Sequence, residues 1–132
     1  MGYRFVSSCD SDVVLKAFHA WGESCVDRLQ GMFAFAVHER DSGRLTLVRD
    51  RFGIKPLYLA EVAGGLRFAS TLPALLAGAD GAIDTSIDVD ALNHYMSWHA
   101  VVPAPRTILR GVRKLPAASL MRVSPGGRRE TQ

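Results

Sequence analysis

Along this chain the spacing of apolar residues alternates between that of helices and that of strands. From Asp10 to Trp21 the residues Val13, Val14, Ala17, Phe18 and Trp21 recur at three- and four-residue intervals, and Gly22 is placed to end the helix they predict. A second short helical turn is expected over 24–29, buried through Cys25, Val26 and Leu29. The period then changes: Met32 to Val37 is apolar on both alternating faces, the pattern of a strand covered on both sides. Asp41, Ser42 and Gly43 supply turn chemistry before a strand over 45–48, which predicts a hairpin. A second hairpin pairs 57–62 with 66–69 across Ala63, Gly64 and Gly65. Four successive strands of this kind favour an antiparallel sheet.

Ser70 or Thr71 is positioned to cap a short helix through Leu72, Leu75 and Leu76, and a loop rich in Gly, Ala and Asp follows over 78–84. The next helix starts at Ser86 or Asp88 and lines one face with Ile87, Ala91, Leu92, Tyr95 and Met96. Beyond Met96 the periodicity fades, and Pro103, Pro105 and Pro116 break the remainder into an extended connector. One short strand fits over 119–123, after which Pro125-Gly126-Gly127-Arg128-Arg129 ends the chain without a closing element. The fold class that follows is α+β with an antiparallel sheet, a first region over 1–97 and an irregular linker over 98–132.

Composition narrows the choice. With 132 residues, 48% of them hydrophobic and 22% charged, the chain suits one modest globular core. No apolar run reaches the roughly 18 residues a membrane helix needs, and no apolar stretch with a cleavage site follows Arg4, so a cytoplasmic address and no membrane partner are expected. Met1-Gly2 is not a myristoylation signal, because the sixth residue is Val6 rather than Ser or Thr. Cys9 and Cys25 have neither zinc nor CxxC spacing, and His19, His38, His94 and His99 show no repeated ligand spacing; neither a disulfide nor a metal site is expected. The net charge of +3 is concentrated late, with Arg106, Arg110, Arg113, Lys114, Arg122, Arg128 and Arg129 against Glu130 alone. No aromatic residue interleaves with these cations, so a solvated or docking surface is favoured over a nucleic-acid platform.

The stretch Arg49-Asp50-Arg51-Phe52-Gly53-Ile54-Lys55-Pro56-Leu57-Tyr58 places a charged, constrained turn between two apparent strands. Asp50 and Arg51 require partners if buried, Gly53 admits backbone conformations that other residues resist, and Pro56 fixes the start of the following strand. Two readings are open: a loop bordering a substrate site or domain interface through Asp50, Arg51 and Lys55, or a salt-bridged turn that fixes the strand crossing. The second is favoured.

This stretch, with Gly31-Met32-Phe33-Ala34-Phe35-Ala36-Val37 before it and Phe68-Ala69-Ser70 after it, resembles the glutamine amidotransferase domain of asparagine synthetase-type enzymes. The resemblance runs from Tyr3-Arg4-Phe5 through Val101-Val102-Pro103-Ala104-Pro105-Arg106-Thr107-Ile108 to Lys114-Leu115-Pro116. His19-Ala20-Trp21-Gly22, Leu72-Pro73-Ala74-Leu75 and His94-Tyr95-Met96 are similar to the branch that amidates N-acetylglutaminylglutamine. The resemblance implies part of an Ntn-hydrolase-type αββα sandwich. Residues 1–97 would be the later portion of a class II glutamine amidotransferase domain, and 98–132 a linker towards a missing ATP-dependent synthetase domain.

It also implies chemistry. A cysteine at the mature N-terminus attacks the glutamine amide with its own α-amine as base, and ammonia passes to a carboxylate activated by ATP in the second domain. Here Gly2 stands after the initiator, Cys9 and Cys25 have acylated amines, and the family's Asn-Gly-Glu motif, early arginine and Ser-Gly-Gly loop are absent. No catalytic residue is therefore expected in this chain, and ATP and Mg belong to the synthetase domain. One residue carries over: in Ser8-Cys9-Asp10-Ser11-Asp12, Asp10 matches the aspartate that binds the α-ammonium of glutamine. By position alone Asp10 reads as a helix N-cap, and the two roles are compatible. Thr71 replaces the family's Glu after Ser70, and Ala117-Ala118-Ser119 replaces its Pro-Gly-His. The partners implied are glutamine, the N-terminal segment and the synthetase domain. The alternative is a stand-alone, non-catalytic interaction module that keeps the half-fold.

Overall fold

The chain's path is set first by its glycines and capping side chains. A computed structural model describes residues 2–132 and divides them into two compact units, one ending at Gly31 and the other running from Met32 to Gln132. Helix α1 (Asp10–Trp21) opens the first unit and ends where Gly22 takes φ +58°, a left-handed conformation that costs glycine little. A 3₁₀ helix, Gly22–Arg28, follows and buries Cys25 completely. Ahead of α1 an extended segment lies along the helix. Lys16 Nζ donates to the Arg4 carbonyl (2.7 Å) and sits 4.4 Å from the Phe5 ring centroid, while the Tyr3 hydroxyl meets His19 Nδ1 at 2.5 Å.

The second unit contains two antiparallel sheets. The first has the order β1 (Ala34–His38), β2 (Leu45–Arg49), β6 (Ser119–Val123), β7 (Arg129–Thr131). The second has the order β4 (Gly65–Ala69), β3 (Tyr58–Val62), β5 (Arg113–Lys114). Both expected hairpins form, pairing Ala34 with Arg49 and His38 with Leu45 in one, and Tyr58 with Ala69 and Val62 with Gly65 in the other. They do not share a sheet as expected, because the loop after β2 carries the chain from the first sheet to the second. Leu47 of β2 and Leu59 of β3 then meet between the sheets with Leu57 and Leu115, all buried, and Leu45, Leu66 and Met121 close the edges of this cluster. Period-2 alternation explains the other face of β3. Ala60 there joins Leu75, Ala79, Ile83 and Val112 in a second cluster beneath α2 (Leu72–Ala77). Each such leucine contributes about 2 kcal/mol by leaving water.

Thr71, one of the two expected caps, accepts the Ala74 N–H at 3.3 Å to start α2. Asp88 does the same for α3 (Val89–Ser97), accepting from Ala91 at 3.1 Å. Two expectations about burial are corrected. β1 is an edge strand with Ala36 and His38 exposed; the strand buried on both faces is β2, through Thr46, Leu47 and Val48. In α3 only Ala91 is buried, while Leu92, Tyr95 and Met96 are exposed, as is Ile87 ahead of the helix.

The longest irregular stretch is 98–112; beyond it the segment expected as a linker returns to both sheets. β5 pairs with β3, and β6 occupies an interior position beside β2, with Leu45 opposite Val123 and Arg49 opposite Ser119. The expected strand over 119–123 is present. The end is closed as well: Ser124 and Gly127 form a tight turn, Gly127 at φ +81°, and β7 pairs Arg129 with Val123 and Thr131 with Met121. Pro125-Gly126-Gly127 is therefore a hairpin turn. Even the irregular stretch is fixed, because Thr107 is buried, donating from its hydroxyl towards the Val112 carbonyl (3.0 Å) and accepting the Leu109 N–H (3.1 Å).

Candidate functional site

The loop between β2 and β3 is built around two adjacent side chains of opposite charge that do not pair with each other. Asp50 is almost completely buried, and its carboxylate accepts the N–H groups of Phe52 (3.1 Å), Ile54 (3.0 Å) and Lys55 (2.9 Å). Burial alone would raise its pKa. The backbone donors of Lys55, Ile54, Phe52 and Phe33 outweigh that and hold Asp50 below the ordinary carboxylate value. Arg49 works on the other sex of backbone group: its guanidinium donates to the carbonyls of Lys55 (2.9 Å), Gly53 (2.7 Å) and Leu115. Because Leu115 lies at the far end of the chain's return, this arginine ties the loop to the segment that joins β5 and β6.

The consequence is a rigid loop whose tip faces solvent. Phe52 is 79% and Ile54 56% exposed, flanked by the exposed side chains of Arg51 and Lys55. The salt-bridged turn expected from the sequence is not what forms. Asp50 spends its charge on backbone N–H groups, and Arg51 and Lys55 have no acidic partner among the described residues. The physical reason is reach: a carboxylate at the start of a tight turn lies closer to the following N–H groups than to long side chains that gain more by staying hydrated.

In the first unit, Asp10 does not take the capping position expected from the sequence, and a different carboxylate, Asp12, holds the structure there. The N-cap of α1 is Cys9, which makes no side-chain capping bond, and Asp10 is the first helical residue, exposed and without a hydrogen bond or ion pair among the described residues. Asp10 is thus not the cap. The structural carboxylate is Asp12, which accepts from Lys16 Nζ (2.7 Å), Val6 N (3.1 Å) and Ser7 N (3.4 Å). Its pKa is lowered, chiefly by the Lys16 hydrogen bond. The Asp12 to Lys16 spacing of four residues was the available signal. Beside them, the Cys9 thiol is held below its ordinary value by the Ser11 hydroxyl and backbone, whereas burial pushes the Cys25 thiol up. Both cysteines are free.

A third cluster sits at the start of α3. Arg106 pairs with Asp88 (2.8 Å) and Asp90 (3.0 Å), and Arg113 approaches Asp88 at 3.9 Å; Asp88, Asp90 and Arg113 line an open depression with Val89 and Arg110. The Ala91 N–H first, then Arg106, keeps the Asp88 pKa low. Further on, Arg129 pairs with Glu61 and Arg128 with Glu130, so much of the late cationic charge is spent inside the fold. Lys114 donates to the Val102 carbonyl (2.6 Å), and its pKa is lowered by burial and then by Arg49. Among the described residues no three or more His, Cys, Asp or Glu side chains approach closely enough to hold a metal ion. No helix of the described residues is long and apolar enough to cross a membrane.

The two-sheet second unit and its committed strand-to-strand loop are joined by a direct sequence match. Residues 1–132 match the glutamine amidotransferase domain family. The chain belongs to that family. Among its relatives is a Mycobacterium bovis protein provisionally named asparagine synthetase (glutamine-hydrolysing), 41% identical over 123 residues, which are 92% of this chain and 19% of that protein. Asparagine synthetase (glutamine-hydrolysing) 1 of Bacillus subtilis is 35% identical over 126 residues, 96% of this chain and 19% of its own. Asparagine synthetase (glutamine-hydrolysing) 3 of the same organism is 30% identical over 126 residues, 96% of this chain and 20% of its own. The chain thus spans about a fifth of the length of these relatives. In this amidotransferase domain the Asp50 loop is the fixed connection between the two sheets, and the α+β class with antiparallel sheets is the one expected from the sequence.

Proposed function

We propose that this chain serves a glutamine-dependent enzyme of the asparagine synthetase type, which hydrolyses glutamine and passes ammonia to a carboxylate activated by ATP. In this reading Asp10 binds the α-ammonium of glutamine. What carries it is the contrast at the start of α1. Asp12 is fully engaged in holding the preceding segment and Lys16, whereas Asp10, two residues away at the positive end of the helix, keeps a solvent-facing carboxylate free for a cation. ATP, Mg and the acceptor carboxylate belong to a separate synthetase domain, consistent with relatives about five times as long as the matched segment. The nucleophile, an N-terminal cysteine, would be supplied by sequence ahead of this segment, and the N-acetylglutaminylglutamine branch remains the finer placement we favour.

The test uses the full-length protein in which this sequence occurs. Asp10→Asn should lower kcat/KM for glutamine roughly a hundredfold, mainly through KM, and leave the rate with free ammonia unchanged. Unchanged glutamine kinetics would remove Asp10 from the site. Loss of the ammonia-supported rate as well would mean that it acts through folding.

A second reading, a non-catalytic interaction module, draws on the filled core of the second unit, where Leu47, Val112 and Leu115 are completely buried. It requires the 132-residue chain to be monodisperse and to melt cooperatively.

A further inference from the structure

Residues 2–9, which lead into helix α1, have no regular structure of their own, and two side chains on the helix hold them. Asp12 is the third helical residue, a position from which a carboxylate ordinarily reaches back to the N–H of the capping residue. Here it reaches further, accepting from Val6 (3.1 Å) and Ser7 (3.4 Å). Lys16 lies one turn on, along the same face of the helix. Its Nζ is 2.7 Å from both Asp12 carboxylate oxygens, donates to the Arg4 carbonyl at 2.7 Å and sits 4.4 Å from the Phe5 ring centroid. An ordinary surface pair leaves both groups hydrated. The side chains of Lys16 and Asp12 are instead only 17% and 12% exposed. From this clasp the path to Asp10 is short. The Ser7 hydroxyl accepts the Cys9 N–H (3.2 Å) and the Cys9 carbonyl accepts the Asp12 N–H (3.0 Å), so the backbone is fixed on both sides of Asp10.

We propose that Lys16 is a positioning residue for glutamine binding: with Asp12 it clasps residues 4–7 against α1 and so sets the place of the Asp10 carboxylate. The inference rests on the reading given under the proposed function, in which Asp10 binds the α-ammonium of glutamine. Asp10 makes no hydrogen bond or ion pair among the described residues, and Cys9 ahead of it makes no side-chain capping bond. The aim of the Asp10 side chain is therefore set by the backbone that carries it, and that backbone is set by the clasp. Lys16 does not touch the ligand. It acts by ordering the segment before glutamine arrives, so that the ligand does not have to order it on binding. Such a contribution is made equally to the bound substrate and to the transition state, and it belongs to KM rather than to kcat.

A double-mutant cycle in the full-length protein, read from steady-state glutamine hydrolysis, tests the assignment. Lys16→Met keeps an apolar stem beside Phe5 and removes the donors; it is expected to lower kcat/KM for glutamine about tenfold, nearly all of it through KM. Lys16→Arg keeps a cation within reach of Asp12 and the Arg4 carbonyl, and should bring KM back to within about twofold of wild type. In the Asp10→Asn background, Lys16→Met should cost less than about twofold, because the carboxylate it positions is gone. Should Lys16→Met fail to fold, Asp12→Asn loosens the clasp from its other side and carries the same cycle with the same expectations. An equal cost in both backgrounds would show that Lys16 acts independently of Asp10, overturning the proposal and leaving Asp10 as the ligand. A loss confined to kcat, or no loss beside a damaging Asp10→Asn, would overturn it in the same way. Wild-type glutamine kinetics in Asp10→Asn, or a full-length protein that does not hydrolyse glutamine, would instead remove the reading on which the proposal rests.

Discussion

Asp50 shows how one buried charge can organise a loop without an ionic partner. Three backbone N–H groups converge on its carboxylate, and a neutral side chain of the same shape would present those donors with an amide that is itself partly a donor. Asp50→Asn should therefore cost about 3 kcal/mol in urea unfolding near neutral pH. The sign of the pH effect follows from its depressed pKa. The unfolded chain holds the proton at the ordinary value and the folded chain only at lower pH, so the contribution is complete above about pH 5 and fades as pH falls through the folded value. Wild-type and Asp50→Asn unfolding midpoints should draw together as pH falls below the ordinary carboxylate range; curves that stay parallel through the acid limb would show that the charge is not what the loop uses. The sequence showed that Asp50 needed partners. It could not show which, because backbone donors leave no trace in residue identity.

At the scale of elements, the legible parts were those written in local periodicity or in a cap. Helix α1, both hairpins and the Thr71 and Asp88 caps came from side chains that act within four residues of themselves. The split into two sheets was hidden because an alternating pattern records which face a residue uses, not which sheet it joins. Gly53 is where that split is enforced: at φ +64°, an added Cβ would lie 3.1 Å from the Ala117 Cβ and 3.2 Å from Arg49 Cζ. Gly64 in the β3–β4 turn also has positive φ, +92°, but opens onto empty space. Gly53→Ala should thus cost more than Gly64→Ala, by about 1–2 kcal/mol, since the first adds a clash with the arginine clamp to the same conformational penalty. Equal unfolding midpoints for the two variants would show that the clamp yields freely.

For the whole molecule, the decisive question is where the fold ends. The prolines and fading periodicity after Met96 read as a departing linker, yet Val112, Leu115 and Leu120 are buried and distribute themselves between the two sheets. Such anchors are sparse and irregularly spaced because each strand end contributes only one or two residues to a given layer, so neither helical nor strand periodicity betrays them. Asp10 was singled out through family likeness and is proposed as a glutamine ligand, whereas the structural part played by Asp12 became visible only in three dimensions. If 98–132 were a linker, a chain ending at Ser97 would keep its core. The structure requires the opposite. Truncation removes Leu115 from between the sheets, Val112 from beneath α2, and β6 from beside β2, leaving Leu45 to Arg49 unpaired on one side. Losing a buried leucine side chain alone costs about 2–5 kcal/mol, and domains of this kind hold only about 5–15 kcal/mol in total. The truncated chain is expected to retain helical far-ultraviolet circular dichroism while losing its near-ultraviolet signal and its cooperative urea transition. A sharp transition with the wild-type slope would place the domain boundary at residue 97 after all, and β5 to β7 would then be an appendage that the core can lose.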